Sequence, residues 1–376
     1  MTPQEFRAQF PALDDWVWLD TPGAPPGARP VIDRLEHALD EWLSGSFDWA
    51  DWDSAADSAR AQFARYTRVD PRSVATLSSL AEAAATVVRS VEPGKTIVVA
   101  EDEFRSVLFP ALNHATSNSL DIDVVPRTPG RSRTDSLLDA IDGSTGLVMV
   151  SEVLTNDGER VDLDKICNAA HSNGALVFAN LTQTLGVLRS DLSQHPADFV
   201  AAHGYKWMLC PRGTTWLVTD PSLHELDPLI PSWKTVIPQG YFGGPYTPSQ
   251  SSSRCNSSPA WLSWIGARSA LDVIERIPET SGREHCLELA ATFEVAVRNL
   301  DFSILNCGAR SHIVVAAPPA GREVSAAALR ERGIRATVTE NKAVRVGFHY
   351  FNSLTDVDQA IDAIVDSITS SSRESP

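Results

Sequence analysis

The sequence has few cysteines and no pattern of residues that binds a structural metal. Its 376 residues include five cysteines (Cys167, Cys210, Cys255, Cys286 and Cys307), which are widely separated and show neither CxxC spacing nor paired histidines. We therefore expect neither a disulfide framework nor a metal. HExxH, a P-loop and GxGxxG are also missing, so the common signatures of metalloproteases, nucleotide-binding and dinucleotide-binding proteins are absent.

Positive charge is scarce as well. The chain has 48 Asp and Glu against 32 Lys and Arg, which gives a net charge of -16. Such a chain repels phosphate backbones and anionic lipids, so we expect no nucleic-acid partner and no membrane partner. Neither a charged and then apolar leader nor an uncharged apolar run of membrane-spanning length is present, which predicts a cytoplasmic protein.

Short apolar runs alternate with helical stretches from residue 74 onward. Seven runs are predicted as strands: Val74–Leu77, Thr96–Ala100, Ile122–Val125, Gly146–Ser151, Ala175–Ala179, Asp198–Ala202 and Thr214–Thr219. Strands separated by helices form a mostly parallel sheet covered on both faces, so the fold class is α/β. We expect an N-terminal segment (1–15) packing on the small domain, a large domain (16–258), a connecting helix (259–280), a smaller C-terminal α+β domain (281–370) and a tail (371–376).

Among only five lysines, one stands out. Lys206 comes just after the run Asp198–Ala202, where His203-Gly-Tyr205 marks the change from a buried strand to a loop. The other four, Lys95, Lys165, Lys234 and Lys342, occupy turns, loops or a polar helix face, and we expect them to be exposed. Burial lowers the pKa of a lysine and makes the neutral amine available for Schiff-base chemistry. The alternative is a structural lysine whose amine reaches the surface.

Polar groups follow other predicted strands too. Ser78–Ala83 forms either an anion site at a helix start or a plain helix N-cap. Phe104 either offers an aromatic face to a ligand or is a core side chain. Thr155 either contacts a ligand or belongs to an ordinary turn. Asn180 and Gln183 follow a further strand. Because the carboxyl ends of parallel strands meet at one sheet edge, these groups are expected to converge on one ligand site.

Taken together, these residues resemble the class V aminotransferase family of pyridoxal 5′-phosphate (PLP) enzymes, fold type I. The family includes cysteine desulfurases, kynureninases and isopenicillin-N-epimerase-like proteins. The resemblance spans Leu19-Asp20 to Asn352; each motif is loose, but their order and spacing are specific. It implies PLP as the cofactor, an amino acid as the small-molecule substrate, and a homodimer with shared active sites.

The resemblance also implies a role for individual residues. Lys206 would bind PLP covalently and is the candidate catalytic residue, while Arg345 would bind the substrate α-carboxylate. The implied cofactor ligands are Ser79, Leu80, Ala81, Tyr205 and Trp233 at the phosphate, Phe104 stacked on the ring, Asn180 at the ring nitrogen, Gln183 near the ring oxygen, His203 and Thr155 beside them, and Ser258 at the phosphate of the neighbouring subunit.

Departures from the family pattern narrow the reaction. Asn180 stands where the family usually has an aspartate that keeps the ring nitrogen protonated, so the cofactor is expected to be a weaker electron sink. No cysteine lies between Val315 and Thr337, where a desulfurase carries its reactive thiol, and Cys307 precedes that stretch. A strict cysteine desulfurase is thus disfavoured. The hypothesis that the chain is a kynureninase is also weakened. The matching positions lack the aspartate and histidine of that enzyme and have Val107, Asn180 and Gln183 instead.

The leading hypothesis is a lyase that removes a thiol from an S-substituted cysteine, because elimination tolerates a weak electron sink. An aminotransferase or a decarboxylating deaminase is the alternative, and a non-catalytic binding scaffold is a hypothesis of a different class. The preference for arginine over lysine resembles actinobacterial proteins, in which similar enzymes modify sulfur-containing natural products, lincosamides among them.

Overall fold

In the computed structural model, residues 1–118, 120–220 and 226–370 are described; the predicted tail, 371–376, lies outside the described residues. The helices are α1 (Pro3–Arg7), α2 (Arg29–Ser44), α3 (Trp49–Thr67), α4 (Leu80–Val88), α5 (Arg105–Asn118), α6 (Arg133–Ala140), α7 (Leu163–Ser172), α8 (Trp261–Ile274), α9 (Glu279–Arg298), α10 (Ala326–Glu331) and α11 (Leu354–Ser367).

The strands of the N-terminal part are β1 (Val17–Trp18), β2 (Val74–Leu77), β3 (Thr96–Ala100), β4 (Asp121–Val125), β5 (Thr145–Ser151), β6 (Leu176–Asn180), β7 (Phe199–His203) and β8 (Thr215–Thr219). Those of the C-terminal part are β9 (Ser303–Ile304), β10 (Ile313–Ala317), β11 (Arg322–Val324), β12 (Ile334–Arg335), β13 (Thr337–Val338), β14 (Val344–Gly347) and β15 (Ile368–Ser370).

Seven strands form the central sheet, in the order β2-β8-β7-β6-β5-β3-β4. Five of them, from β7 to β4, are parallel, and β8 is antiparallel to both of its neighbours. The predicted mostly parallel α/β sheet is therefore confirmed, and each predicted strand differs from the observed one by no more than one residue at either end.

The strands of the central sheet are apolar at successive positions because both faces of the sheet are buried. Side chains alternate along a strand, so each strand contributes to two cores. On β3, Ile97 and Val99 pack with residues of α4 and α5, whereas Val98 and Ala100 pack in the cluster that includes residues of α3, α7 and α8. This double burial leaves the carboxyl ends of the strands as the place where polar loops collect.

A second, antiparallel sheet has the order β13-β14-β10-β9. Residues 334–338 form two short strands, because the chain changes partners at Ala336: β12 pairs with β1, and β13 pairs with β14. A bridge between Asp20 and Gly347 holds the loop after β1 against β14. The domain boundaries given above stay a prediction. Among the described helices, none is long and apolar enough to cross a bilayer.

Candidate active site

Loops at the carboxyl ends of β2, β3, β5, β6 and β7 enclose a cleft of about 540 Å³, its open mouth included. The cleft brings together nine of the predicted site residues: Ser79, Leu80, Phe104, Thr155, Asn180, Gln183, His203, Tyr205 and Lys206. They come from segments as far apart as residues 79 and 206, which is the convergence expected at one edge of a parallel sheet. Their individual roles stay predictions.

Lys206 lies in this cleft with only 7% of its surface exposed. Its amine is 5.6 Å from the ring centroids of both Phe104 and Tyr205, and it makes no hydrogen bond or ion pair with the described residues. Burial, helped by the positive charge of Arg345, lowers the pKa of Lys206 to about 7. A neutral amine is therefore available near neutral pH.

Lys234 corrects one expectation from the sequence. It was predicted to be exposed in a loop, yet it is only 4% exposed. Its amine lies 2.7 Å from a carboxylate oxygen of Asp53 and 3.3 Å from one of Asp57. These partners stand some 180 positions earlier in the chain, so local sequence could not reveal them. Burial alone does not separate the two lysines; Lys206 differs from Lys234 in having no carboxylate partner within the described part of the chain.

The lowered pKa of Lys206 gives a direct pH prediction. In the cofactor-free protein, about half of the Lys206 amine should be neutral at pH 7 and about nine-tenths at pH 8, whereas an ordinary lysine titrates near 10.4. The rate of acetylation at Lys206, followed by peptide mass spectrometry, should therefore rise with a midpoint near pH 7. Denatured protein is the control, and a midpoint above pH 9 in the folded protein would contradict the prediction.

Asn180 is buried, and its amide is held in one orientation. Its Oδ1 accepts the backbone N–H of Thr182 at 3.0 Å, and its Nδ2 donates to Ser151 Oγ at 2.7 Å. The backbone N–H can only donate, so the assignment of oxygen and nitrogen follows from chemistry. Asn180 lines the cleft, and the second Nδ2 hydrogen is the donor that it has left to offer there.

Ser151 connects Asn180 to a buried carboxylate. The Glu103 side chain accepts the Ser151 backbone N–H at 2.8 Å, the Ser151 hydroxyl at 2.5 Å and the Phe104 N–H at 2.7 Å. Burial raises the pKa of Glu103. The hydroxyl that donates to Glu103 keeps a lone pair for Asn180, so the three side chains form one directed chain of hydrogen bonds.

The orientation of the Gln183 amide also follows from its hydrogen-bond partners. The indole N–H of Trp207, a pure donor, reaches Gln183 Oε1 at 2.6 Å, and Gln183 Nε2 donates to the carbonyl of Pro22 at 3.2 Å. The Trp207 backbone carbonyl is in turn 3.0 Å from His349 Nε2. Gln183 thus also has an N–H left for the cleft, the group that a negatively charged ring oxygen would accept.

The start of α4 also lines the cleft, through Ser79 and Leu80. Ser79 caps this helix, since its hydroxyl accepts the N–H of Glu82 at 3.2 Å. The N–H groups of Leu80 and Ala81 have no partner among the described residues, as is normal for a first helical turn. Two free N–H groups beside a hydroxyl suit an anion.

Three predicted ligands lie elsewhere. Ala81 faces a different groove between α4 and α5, Trp233 packs against Tyr241 at 4.7 Å between ring centroids, and Ser258 is exposed. None of them lines the cleft. Ala81 carries only a methyl group, so it can contribute its backbone N–H alone. Trp233 and Ser258 stay predictions that need a second subunit or a rearranged loop.

Arg345 lies on β14, outside the lining of the cleft. Its Nη2 is 3.1 Å from Asp20 Oδ1 and 3.0 Å from Thr337 Oγ1. It is close enough for its charge to lower the pKa of Lys206. An arginine at this place can present paired donors to a carboxylate, and Asp20 is the carboxylate that it binds in this structure.

Several residues that line the cleft were not predicted from the sequence, among them Ser151, Thr182 and Arg212. Ser151 was visible only as the polar last residue of a predicted strand. Arg212 stands six positions after Lys206, and its sole signal was a basic residue in the loop that follows the lysine.

The residues of the cleft fit PLP. Lys206 supplies an unpaired amine, Phe104 an exposed aromatic face, Asn180 and Gln183 two oriented N–H donors, and α4 a helix start. These groups match, respectively, an aldehyde, a pyridine ring, two ring acceptors and a phosphate. The donor set therefore agrees with the cofactor that the sequence suggests.

Comparison with known proteins identifies the family. Residues 17–360 match the family model described as aminotransferase class V. The chain is 25% identical over 368 residues to the uncharacterized aminotransferase YcbU of Bacillus subtilis (strain 168), covering 96% of this chain and 97% of that protein. It resembles the structure of the cysteine desulfurase CsdA of Escherichia coli, with a TM-score of 0.83, 21% identity and 98% of both chains covered.

A second solved structure, the cystine C-S lyase C-DES in complex with its product cysteine persulfide, is similar with a TM-score of 0.84 and 18% identity, over 96% of this chain and 100% of that chain. At such identities the two structures show the fold alone. The family match, which covers most of the chain, confirms the predicted family, fold and cofactor. This chain belongs to the class V aminotransferase family of PLP-dependent enzymes.

Proposed function

We propose that this protein is a lyase that cleaves the C–S bond of an S-substituted cysteine by α,β-elimination, in natural-product metabolism. The observation that carries the proposal is the fixed amide of Asn180. An N–H can hydrogen-bond an unprotonated ring nitrogen but does not protonate it, so the bound cofactor withdraws electrons less strongly. Elimination suits such a site because the departing thiolate removes the negative charge in the next step.

Different residues of the chain carry out different parts of the proposed reaction. PLP, when bound, withdraws electrons from the α-carbon of the amino acid attached to it. Lys206 is the base that moves the α-proton, because its pKa of about 7 keeps neutral amine present. Arg345 holds the substrate carboxylate in place of Asp20, and Gln183 donates to the cofactor's ring oxygen.

Two further observations bear on the reaction. The C-S lyase C-DES shows that this fold can accommodate C–S cleavage. The relative named an aminotransferase supports the alternative, an aminotransferase or a decarboxylating deaminase acting on a cysteine-conjugated or other amino acid, which would use the same cofactor residues.

A series of substrates tests the proposal. The protein loaded with PLP is incubated with S-substituted cysteines whose thiols differ in acidity, and with alanine, which has no leaving group. We expect thiol release to quicken as the thiol becomes more acidic, and alanine to give no pyruvate. Pyruvate from alanine, or carbon dioxide with an aldehyde from the cysteine conjugates, would favour the alternative.

Asn180→Asp should divert the reaction. A carboxylate there keeps the ring nitrogen protonated and strengthens the electron sink, which favours return of the proton to the cofactor instead of elimination. We expect roughly a tenfold larger fraction of turnovers to end as pyridoxamine phosphate, equivalent to about 1.4 kcal/mol. Chromatography of the released cofactor measures it, with Asn168→Asp on the exposed face of α7 as control. An unchanged or smaller fraction would count against the role of Asn180.

We also propose a homodimer with shared active sites. Large apolar side chains are exposed on α2 and on the loop that follows β8, notably Leu43 at 89% and Phe242 at 96%. An edge contact between Trp49 and Tyr241, 5.5 Å between ring centroids, joins that loop to α3. The family resemblance implies a homodimer, and we propose that a second copy covers this surface.

Sedimentation should therefore give a dimer. Replacing Leu43 and Phe242 together by serine should shift the protein towards monomer and reduce turnover at low concentration, because apolar interface contacts are lost. Leu354→Ser, an exposed apolar residue at the start of α11, is the control. A fully active monomer of the unchanged protein would refute the shared site.

A further inference from the structure

One cation of the cleft has no role so far. Arg212 lines the cleft with Lys206, and its guanidinium carbon is 5.3 Å from the centroid of the Tyr205 ring. It forms no ion pair with any carboxylate among the described residues. Its charge contributes to the lowered pKa values of both His203 and Lys206. Arg212 is therefore a solvent-exposed positive charge that lines the cleft and has no carboxylate partner among the described residues.

None of the groups assigned to the phosphate so far carries a full positive charge. A phosphate monoester carries about -1.5 to -2 at neutral pH. The groups assigned to it are hydroxyls, backbone N–H groups and an indole, and the start of α4 adds only about half a positive charge. Glu82, in the first turn of α4, accepts the N–H of Ser78 at 2.9 Å and brings further negative charge.

The histidine of this wall does not supply the missing charge. Burial, together with the charges of Arg212 and Lys206, lowers the pKa of His203 to about 4, so the ring is neutral at pH 7. Its Nε2 lies 3.4 Å from the N–H of Gly213, which can donate to it. His203 and Tyr205 are in edge contact, with 4.4 Å between ring centroids. Arg212 is thus the cation of the wall formed by His203 and Tyr205.

Arg212 and Arg345 are held by different parts of the protein. Arg345 binds Asp20 and Thr337 beside the C-terminal sheet, and the substrate carboxylate is assigned to it. Arg212 instead stacks on Tyr205, the residue that precedes Lys206 and whose hydroxyl is assigned to the phosphate. Burial raises the pKa of that hydroxyl, which keeps it a donor.

We propose that Arg212 binds the phosphate of PLP and provides the positive charge of the phosphate site. This inference rests on the proposed cofactor arrangement and adds to it a ligand that the sequence did not suggest. A guanidinium can donate two parallel hydrogen bonds to phosphate oxygens, which an ammonium cannot.

The test compares two cofactors that differ only in the phosphate. Cofactor-free protein is titrated with PLP and with pyridoxal, following quenching of tryptophan fluorescence. Arg212→Gln should weaken PLP roughly ten- to a hundredfold, as expected for a hydrogen bond to a charged group, and leave pyridoxal unchanged. Arg212→Lys should restore part of the difference. Arg332→Gln, which alters an exposed arginine paired with Asp366, is the control.

The outcomes separate the inference from the proposed function. If the unchanged protein binds PLP and Arg212→Gln binds it equally well, or if both cofactors lose affinity equally, Arg212 is not a phosphate ligand. A raised KM for substrates with a second acidic group, at unchanged PLP affinity, would assign Arg212 to the substrate. If the unchanged protein binds no PLP, the proposed function fails and this inference fails with it.

Discussion

Lys206→Ala should lose both the covalent attachment of PLP and turnover. The amine that joins the cofactor and the base that moves the α-proton are the same group, so nothing else in the cleft replaces it. Loss of general-base catalysis alone costs roughly 10²- to 10⁴-fold. Lys206→Arg should be no better, because a guanidinium stays protonated and cannot attack an aldehyde.

Two readouts keep attachment and turnover apart. Visible absorbance and borohydride reduction followed by peptide mass spectrometry report the attachment, and product analysis reports turnover. Lys165→Ala, at an exposed position of α7, should behave like the unchanged protein. Full activity in Lys206→Ala would refute the assignment, and a reduced adduct on Lys234 would show that the reactive lysine had been misplaced.

Arg345→Ala should give the second large effect. Removing one partner of a desolvated charge pair costs on the order of 2–5 kcal/mol, so kcat/KM should fall roughly thirty- to several-thousandfold. Arg345→Lys should recover little, because a single ammonium cannot reproduce paired N–H donors. Asp20 is partly exposed and keeps its hydrogen bond from Thr337, so we expect the fold to tolerate the loss of Arg345.

Steady-state kinetics with a good substrate and with its carboxamide locate the effect. If Arg345 binds the carboxylate, the unchanged protein should strongly prefer the acid, and Arg345→Ala should lose that preference. Arg332→Ala, a change in an exposed arginine of the C-terminal part, is the control. An unchanged preference in Arg345→Ala would move the carboxylate site to another arginine.

The sheet and the location of the cleft were predictable because they depend on local patterns. Runs such as Thr96–Ala100 are short, apolar and rich in β-branched residues, which favours buried parallel strands. Once such strands are placed in order, the loops that follow them must meet at one edge. Asn180 and Lys206 could therefore be assigned to the same site although 25 residues separate them.

What the sequence could not show are contacts made across the fold. Lys234 reads as a loop residue until Asp53 and Asp57 of α3 are placed against it. The orientation of Asn180 depends on Ser151 of the neighbouring strand, and that of Gln183 depends on Trp207. The role proposed for Arg212 depends on its position over the Tyr205 ring, which only the structure shows. Each of these pairings is set by tertiary packing, which no periodicity in the chain encodes.

The proposal that the protein catalyses elimination is tested most directly by a mass balance with the PLP-loaded protein and an S-substituted cysteine. Free thiol, pyruvate and ammonia are quantified together with the two forms of the cofactor released by denaturation. We predict equal amounts of the three products over many turnovers, with the cofactor recovered as PLP. Stoichiometric conversion of the cofactor to pyridoxamine phosphate, with the C–S bond intact, would contradict it.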